Sequence, residues 1–262
     1  MNSIPSVLAL DIGNTSIHLA IVCGEDVTDP KRFDIAAPTG LAEELDALWT
    51  QMDEPRRVVA SSVNPDATTR VAKIVLDTLS EDVCLVGRDV PLPMATDVET
   101  PESVGTDRLC AAVAAYDRLG ASCVVADFGS AATIDCVNDE GVFLGGVILP
   151  GIGMSLAALA EHTALLPSLD PADPEGPLGK TTSDAIQLGV LAAARGALRD
   201  RTEAYAELLG HWPLVVCTGG DAARVAGQLD LSDLVQAVVP DLTLRGVAMA
   251  YYNAMATQDD DD

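Results

Sequence analysis

Residues 9–22 read ALDIGNTSIHLAIV, and residues 125–137 read VADFGSAATIDCV. Both stretches run apolar strand, Asp, apolar residue, Gly, small polar residue, second strand, and Asp11 stands 116 positions before Asp127. In the first copy, 6–12 (SVLALDI) is expected to be a buried strand, Gly13-Asn14 a tight turn and 16–23 (SIHLAIVC) the returning strand, since Gly followed by Asn between apolar runs is hairpin chemistry. In the second copy, 122–128 and 131–137 take the same parts around Gly129. Repetition of a whole strand-turn-strand unit points to a duplicated chain. The expected class is therefore α/β, with two related lobes, 1–118 and 119–262, the last helix packing back on the first.

The pattern between the copies supports that class. Leu41, Leu45 and Leu48 recur at helical spacing within 40–51. A buried strand at 57–63, a helix at 67–80 and a short strand at 83–87 follow. The passage VPLPMATDVETP at 90–101 carries too much proline for a helix or central strand, and 102–119 reads as a helix. Past the second copy come a Gly-rich segment (GGVILPGIG, 145–153), a helix at 154–162 and a Pro/Asp-rich loop at 167–180. A helix at 182–206, a strand at 213–217, two short elements and a final helix near 245–256 complete the pattern, with the acidic end from 258 on read as a tail.

Composition narrows the function. Of 262 residues, 48 % are apolar, ample for packed cores, but only 3 % are aromatic, which leaves little to stack on nucleic-acid bases. A formal charge of −25 repels nucleic acid and anionic lipid alike. Any anionic ligand must be held by backbone N–H groups, a metal ion or a few local cations. The six cysteines form no C-x-x-C pair and mostly sit in apolar runs, as reduced core thiols do. The start carries no basic stretch or cleavage site, and no apolar run reaches a membrane-spanning length, so a cytoplasmic protein is expected.

Four motifs carry chemistry. In Asp11-Ile12-Gly13-Asn14-Thr15-Ser16, small residues in a tight turn can present N–H groups to phosphate, and a strand-end carboxylate can hold hydrated Mg²⁺. An Asp-capped hairpin explains this motif equally well when it is taken alone. Asp127-Phe128-Gly129-Ser130 repeats the arrangement, and two such turns together point to a nucleotide. Cys217-Thr218-Gly219-Gly220-Asp221, at a strand-to-helix junction, lets backbone approach a flat ligand such as adenosine, although a plain Gly-rich loop reads the same way. In Gly105-Thr106-Asp107-Arg108, Asp107 can accept a hydroxyl proton and Arg108 can bind an anionic group, or the carboxylate simply favours the helix start. No Walker A motif or protein-kinase signature set is present, so the letters DFG at 127–129 are read as coincidence. His18 is read as a packed strand residue rather than a catalyst.

Taken in order, ALDIGNTS (9–16), VVASSVNP (58–65), PESVGTDRL (101–109), VVADFGSAATID (124–135), GGVILPG (145–151), TALLP (163–167), GKTTSDAIQLG (179–189), CTGGDA (217–222) and PDLTLRG (240–246) resemble the type III pantothenate kinases. The resemblance implies the two-lobed actin-like (ribonuclease H-like) fold, with duplicated mixed sheets flanked by helices. It also implies a homodimer that phosphorylates pantothenate with ATP and Mg²⁺, the first step of coenzyme A synthesis. By position, Asp11, Ile12, Gly13, Asn14, Thr15, Ser16, Ile17 and His18 would line the ATP phosphates, with Ser130, Gly219 and Gly220 also on ATP. Asp11 would hold Mg²⁺ through water. Asp127 would bind a monovalent cation, K⁺ or NH₄⁺. Val98, Gly105, Thr106, Asp107, Arg108 and Thr182 would meet pantothenate, Asp107 as proton acceptor and Thr182 across the dimer. The chain departs from the family at Ser130, where Thr is usual, at Val98, where an aromatic is expected, and at Thr181, where Asn is usual. Two other readings remain at this stage: a catalytically weak nucleotide-binding regulatory paralogue, and a kinase of the same fold for another anionic hydroxy compound.

Overall fold

The computed structural model describes residues 5–227 and 234–259. The chain forms two compact units, Met1–Arg118 with Asp241–Asp262, and Leu119–Pro240.

In the first unit, β1 (Ser6–Ile12) pairs antiparallel with β2 (Ser16–Cys23), and β2 with β3 (Asp26–Asp34). On its other side β1 runs parallel to β4 (Arg56–Ser62), which runs parallel to β5 (Cys84–Leu85). The order is β3-β2-β1-β4-β5. Strand β1 is covered on both faces, which is why it reads as a nearly continuous apolar run. Its alternation sorts the layers. Leu8, Leu10 and Ile12 pack with Leu41, Leu45 and Leu48 of α1 (Leu41–Gln51) and Ala67, Val71 and Val75 of α2 (Pro65–Leu79). Val7 and Ala9 face the other way, into a cluster with Cys110 of α3 (Thr106–Leu119) and Leu244, Val247, Ala248 and Ala250 of α7 (Leu242–Asp259). With a side-chain period of two, Asp11 continues the Val7–Ala9 row, on the side of α3.

The second unit has the same plan. Strands β6 (Cys123–Phe128), β7 (Ala131–Val137) and β8 (Phe143–Pro150) form an antiparallel meander. Strand β9 (Leu214–Thr218) runs parallel to β6, and β10 (Val235–Val238) parallel to β9. The order is β10-β9-β6-β7-β8, and read from its other edge it matches the first sheet strand for strand. Helices α4 (Ile152–Glu161), α5 (Thr182–Leu209) and α6 (Ala222–Ala226) complete it, with Val124, Ala126 and Phe128 packed on Ile152, Leu156, Ile186, Leu191 and Leu198.

Four features differ from the sequence reading. Strands β3 and β8 carry no clean apolar alternation: β3 contains Pro30 and is largely exposed, and β8 contains Gly145 and Gly146. Both are sheet edges, where one side of the backbone needs no partner. The helix expected over 102–119 is a 3₁₀ turn at Pro101–Ser103, an extended Val104, and then α3 from Thr106. The two hairpins are also not equal. Ile12 pairs with Ile17 across four residues, whereas Phe128 pairs with Ala132 across three. The tail expected from 258 on begins inside α7, and 260–262 lie outside the described residues. All six cysteines are free thiols, and Cys110, Cys123, Cys136 and Cys217 are buried. No helix among the described residues is long and apolar enough to cross a membrane.

Candidate active site

The carboxyl ends of β1 and β4 lie side by side, the place where open α/β sheets gather ligands. Register sets Asp11 opposite His18 on β2 and beside Ser61 on β4. Ser61, fully buried, donates from Oγ to Asp11 Oδ1 at 2.7 Å. Burial raises the Asp11 carboxyl to about 6; the Ser61 bond works against that rise, and the charge of Asp107 adds to it. Asp107 is therefore near enough to be felt electrostatically, although 96 residues separate the two in sequence.

The start of α3 is fixed by its neighbours. Thr106 Oγ1 donates to Ser62 O at 3.1 Å and accepts from Ser62 N–H at 3.2 Å, so its hydroxyl extends the end of β4. Ser62 Oγ reaches Ile12 O at 3.3 Å, tying β4 to β1. Gly105 leaves room for the carboxylate beside it: a Cβ there would stand 2.4 Å from Asp107 Oδ1 and 3.3 Å from Val63 Cγ1. Burial raises the Asp107 carboxyl as well. The rise is held down by the Arg108 backbone N–H, which donates to Oδ1 at 2.8 Å, and by the Arg108 charge. A carboxylate in the first turn also lies at the favourable end of the helix dipole.

The turn after β1 is only partly available to a ligand. Gly13 N–H donates to Ser16 O at 3.0 Å. Asn14 and Thr15 are exposed at the tip. Ile12 and Ile17 are wholly buried in the core, so their side chains cannot reach solvent. His18 is half-buried, with Nε2 3.1 Å from Ser16 Oγ; burial and the Arg32 charge hold its ring below the usual histidine range. Val98 is half-buried in the loop ahead of α3.

In the second unit Asp127 is the counterpart of Asp11, beside Thr133 on β7 and Thr218 on β9. Its Oδ1 lies against two glycines: a Cβ on Gly219 would stand 2.3 Å away, and one on Gly129 3.4 Å away. Gly219 has φ +90°, and a Cβ would also meet Phe128 C at 2.6 Å. Asp221 N–H donates to Phe128 O at 3.0 Å, holding this loop against the end of β6. A Cβ on Gly220 meets nothing within 4 Å, and Ser130 is exposed. Thr181, one of the departures, is the N-cap of α5: its Oγ1 accepts from Asp184 N–H at 3.1 Å. Asn and Thr both serve that role, so the exchange has a local reason. Thr182 follows as the first, exposed residue of the helix.

Sequence reasoning did not pick out Ser61 or Thr106 as supports. The signal lay in two serines closing a buried parallel strand, at 61 and 62.

Two mixed sheets of one topology, each with a carboxylate at the end of its first strand, define the actin-like class. Solved structures share the fold: a conserved putative Baf family transcriptional activator from Campylobacter jejuni (TM-score 0.57, 19 % identity, covering 95 % of this chain and 99 % of that one) and a putative 2-dehydro-3-deoxygalactonokinase from Sinorhizobium meliloti (TM-score 0.57, 16 % identity, covering 95 % and 99 %). So does the activator of the 2-hydroxyisocaproyl-CoA dehydratase from Clostridium difficile (TM-score 0.54, 14 % identity, covering 97 % of each chain). Within that class the type III pantothenate kinase family model matches residues 7–204. Relatives named type III pantothenate kinase include those of Dehalococcoides mccartyi strain 195 (31 % identical, covering 94 % of this chain and 96 % of the relative), Akkermansia muciniphila (33 %, covering 93 % and 97 %) and Anaeromyxobacter sp. strain Fw109-5 (34 %, covering 94 % and 98 %). The chain belongs to the type III pantothenate kinase family.

Proposed function

We propose that this enzyme transfers the γ-phosphoryl group of ATP to the primary hydroxyl of pantothenate, giving 4′-phosphopantothenate for coenzyme A synthesis, with Asp107 as the proton acceptor. The pairing of Asp11 with Asp107 in the first unit carries this reading. Each carboxyl is raised by burial, and Asp11 is raised further by Asp107. An acceptor whose affinity for a proton has been raised is a stronger general base than a solvated aspartate.

Phosphoryl transfer asks the protein mainly to position groups and offset charge. Asp107, aimed by Gly105 and the Thr106–Ser62 tie, takes the hydroxyl proton as the oxygen attacks. Arg108 binds the pantothenate carboxylate. The Asp11 carboxylate, with Ser61 on one oxygen, fits a hydrated Mg²⁺: Mg²⁺ keeps most of its waters and uses one or two carboxylates with substrate phosphates. When bound, Mg²⁺ neutralises developing phosphate charge. The 13–16 turn lies against phosphate, Ile12 and Ile17 contributing only backbone.

In the second unit, Asp127 in its glycine cradle is proposed to take K⁺ or NH₄⁺, and Ser130, Gly219 and Gly220 to meet ATP. Val98 and Thr182 are assigned to pantothenate, in a cytoplasmic homodimer. Incubating the protein with ATP, Mg²⁺, K⁺ and pantothenate and following product mass tests the reading. The expected result is 4′-phosphopantothenate formed in step with ADP. ADP release indifferent to pantothenate would overturn it.

A further inference from the structure

We propose that Gly246 is a positioning residue for Asp107: the last helix braces the catalytic helix where its backbone meets that of Cys110. The inference rests on the reading of Asp107 as proton acceptor.

The observation is steric. A Cβ built on Gly246 in α7 would stand 1.9 Å from Cys110 O, 2.4 Å from Cys110 C and 2.7 Å from Cys110 Cα. All three atoms are backbone, so no change of rotamer relieves the overlap. Cys110 lies three residues after Asp107, about one turn along α3. The Cys110 side chain is fully buried in the cluster that holds Leu244, Val247 and Ala248 of α7. Helix α7 also packs against β1, β2 and β4, and so refers the position of α3 to the strands that carry Asp11 and Ser61 next to their ends. The opposite, N-terminal side of α3 is tied by Thr106 to Ser62. One hydroxyl and one missing Cβ thus fix the turn of helix that carries the base, and the second of them lies 139 residues from Asp107 in sequence.

To reach ordinary contact, α3 and α7 must part by roughly an ångström or more once Gly246 gains a methyl group. A misplacement of about 1 Å at a reacting group can cost about 100-fold in rate. Gly246→Ala is therefore expected to lower kcat by about 100-fold while leaving the affinity for ATP, measured by calorimetry, within about twofold. Ala248→Gly is the control. It lies on the same helix, is fully buried and loosens α7 without pushing on α3. Gly is a poorer helix former than Ala, so the control is destabilised without the wedge. It should keep kcat within about threefold at temperatures well below its own Tm.

Cys110→Leu wedges the same seam with a side chain that can relax, and is expected to lose roughly 10-fold in kcat with ATP affinity intact. If Gly246→Ala does not fold, Cys110→Leu decides the matter by the same two readouts. Wild-type-like kcat in folded Gly246→Ala, or in Cys110→Leu where only that variant folds, overturns the brace. Equal kcat losses in Gly246→Ala and Ala248→Gly also overturn it. Asp107→Asn is run alongside: an active Asp107→Asn refutes the assignment of the base itself, whereas an inactive one beside an unaffected Gly246→Ala refutes the brace alone.

Discussion

Replacing Ser61 with Ala removes one hydrogen bond and should move the acid limb of the pH–rate profile. Ser61 is fully buried and donates to Asp11 Oδ1 at 2.7 Å. The bond stabilises the ionised carboxylate and opposes the effect of burial, which has already lifted Asp11 to about 6. A hydrogen bond to a charged group is worth about 1.5–3 kcal/mol, and about 1.4 kcal/mol corresponds to one pH unit. Asp11 in Ser61→Ala should therefore titrate about one unit or more higher than in the wild type. In the proposed mechanism Asp11 must be ionised to attract Mg²⁺, so kcat/KM for ATP in the wild type should fall as pH drops through about 6. In the variant the same fall should begin about one unit higher. At pH 6.5 the variant should be several-fold slower, and by pH 8.5 most of the difference should be gone. The assay is initial rate of ADP formation at saturating pantothenate and Mg²⁺ between pH 5 and 9, in a buffer of constant ionic strength. An acid limb that stays in place, or moves to lower pH, refutes the role given to Ser61. A drop in rate that is uniform across pH refutes it as well, since that is the mark of general damage.

Other consequences follow from the same geometry. Thr181→Ala removes the cap of α5 and should cost about 1 kcal/mol, lowering Tm by a few degrees. Thr181→Asn restores a capping side chain and should hold Tm near wild type, both read by differential scanning calorimetry. Gly219→Ala forces a Cβ onto a backbone at φ +90° and against Asp127 Oδ1 at 2.3 Å. It should destabilise the second unit by about 1–3 kcal/mol and raise KM for ATP, in a paired unfolding and kinetic measurement. The raised Asp11 carboxyl also bears on stability. Its folded value, about 6, exceeds the ordinary aspartate value of 3.8, so the folded state binds the extra proton. This group therefore favours folding less as pH rises from about 4 to about 6. Asp11→Asn should flatten that part of the stability curve, as followed by urea unfolding.

Much of the fold was legible because its central strands are buried on both sides. SVLALDI and SCVVADF announce themselves by composition, and each ends in Asp-x with Gly next, so the duplication and both strand-end carboxylates could be read directly. Edge strands could not. DVTDPKRFD and FLGGVILP have one unpaired side and no need of clean alternation, and the second contains the glycines that suggested a loop. The hairpin lengths were obscured for a related reason. Small residues fill both turns, and nothing in GSAAT marks where a three-residue loop ends. The site was half legible. Asp107 and Gly105 stood out as a motif, but the clash that makes Gly105 necessary depends on a carboxylate folding back toward it. Ser61, Thr106 and Gly246 act through contacts between distant segments. No local periodicity records such contacts.

The most direct measurement is turnover by Asp107→Asn, with ATP binding followed by calorimetry in the same preparation. General-base catalysis is worth about 10²–10⁴ in rate, so phosphopantothenate formation should fall by at least about 100-fold while ATP binds as before. A folded Asp107→Asn enzyme that turns over at the wild-type rate would contradict the account.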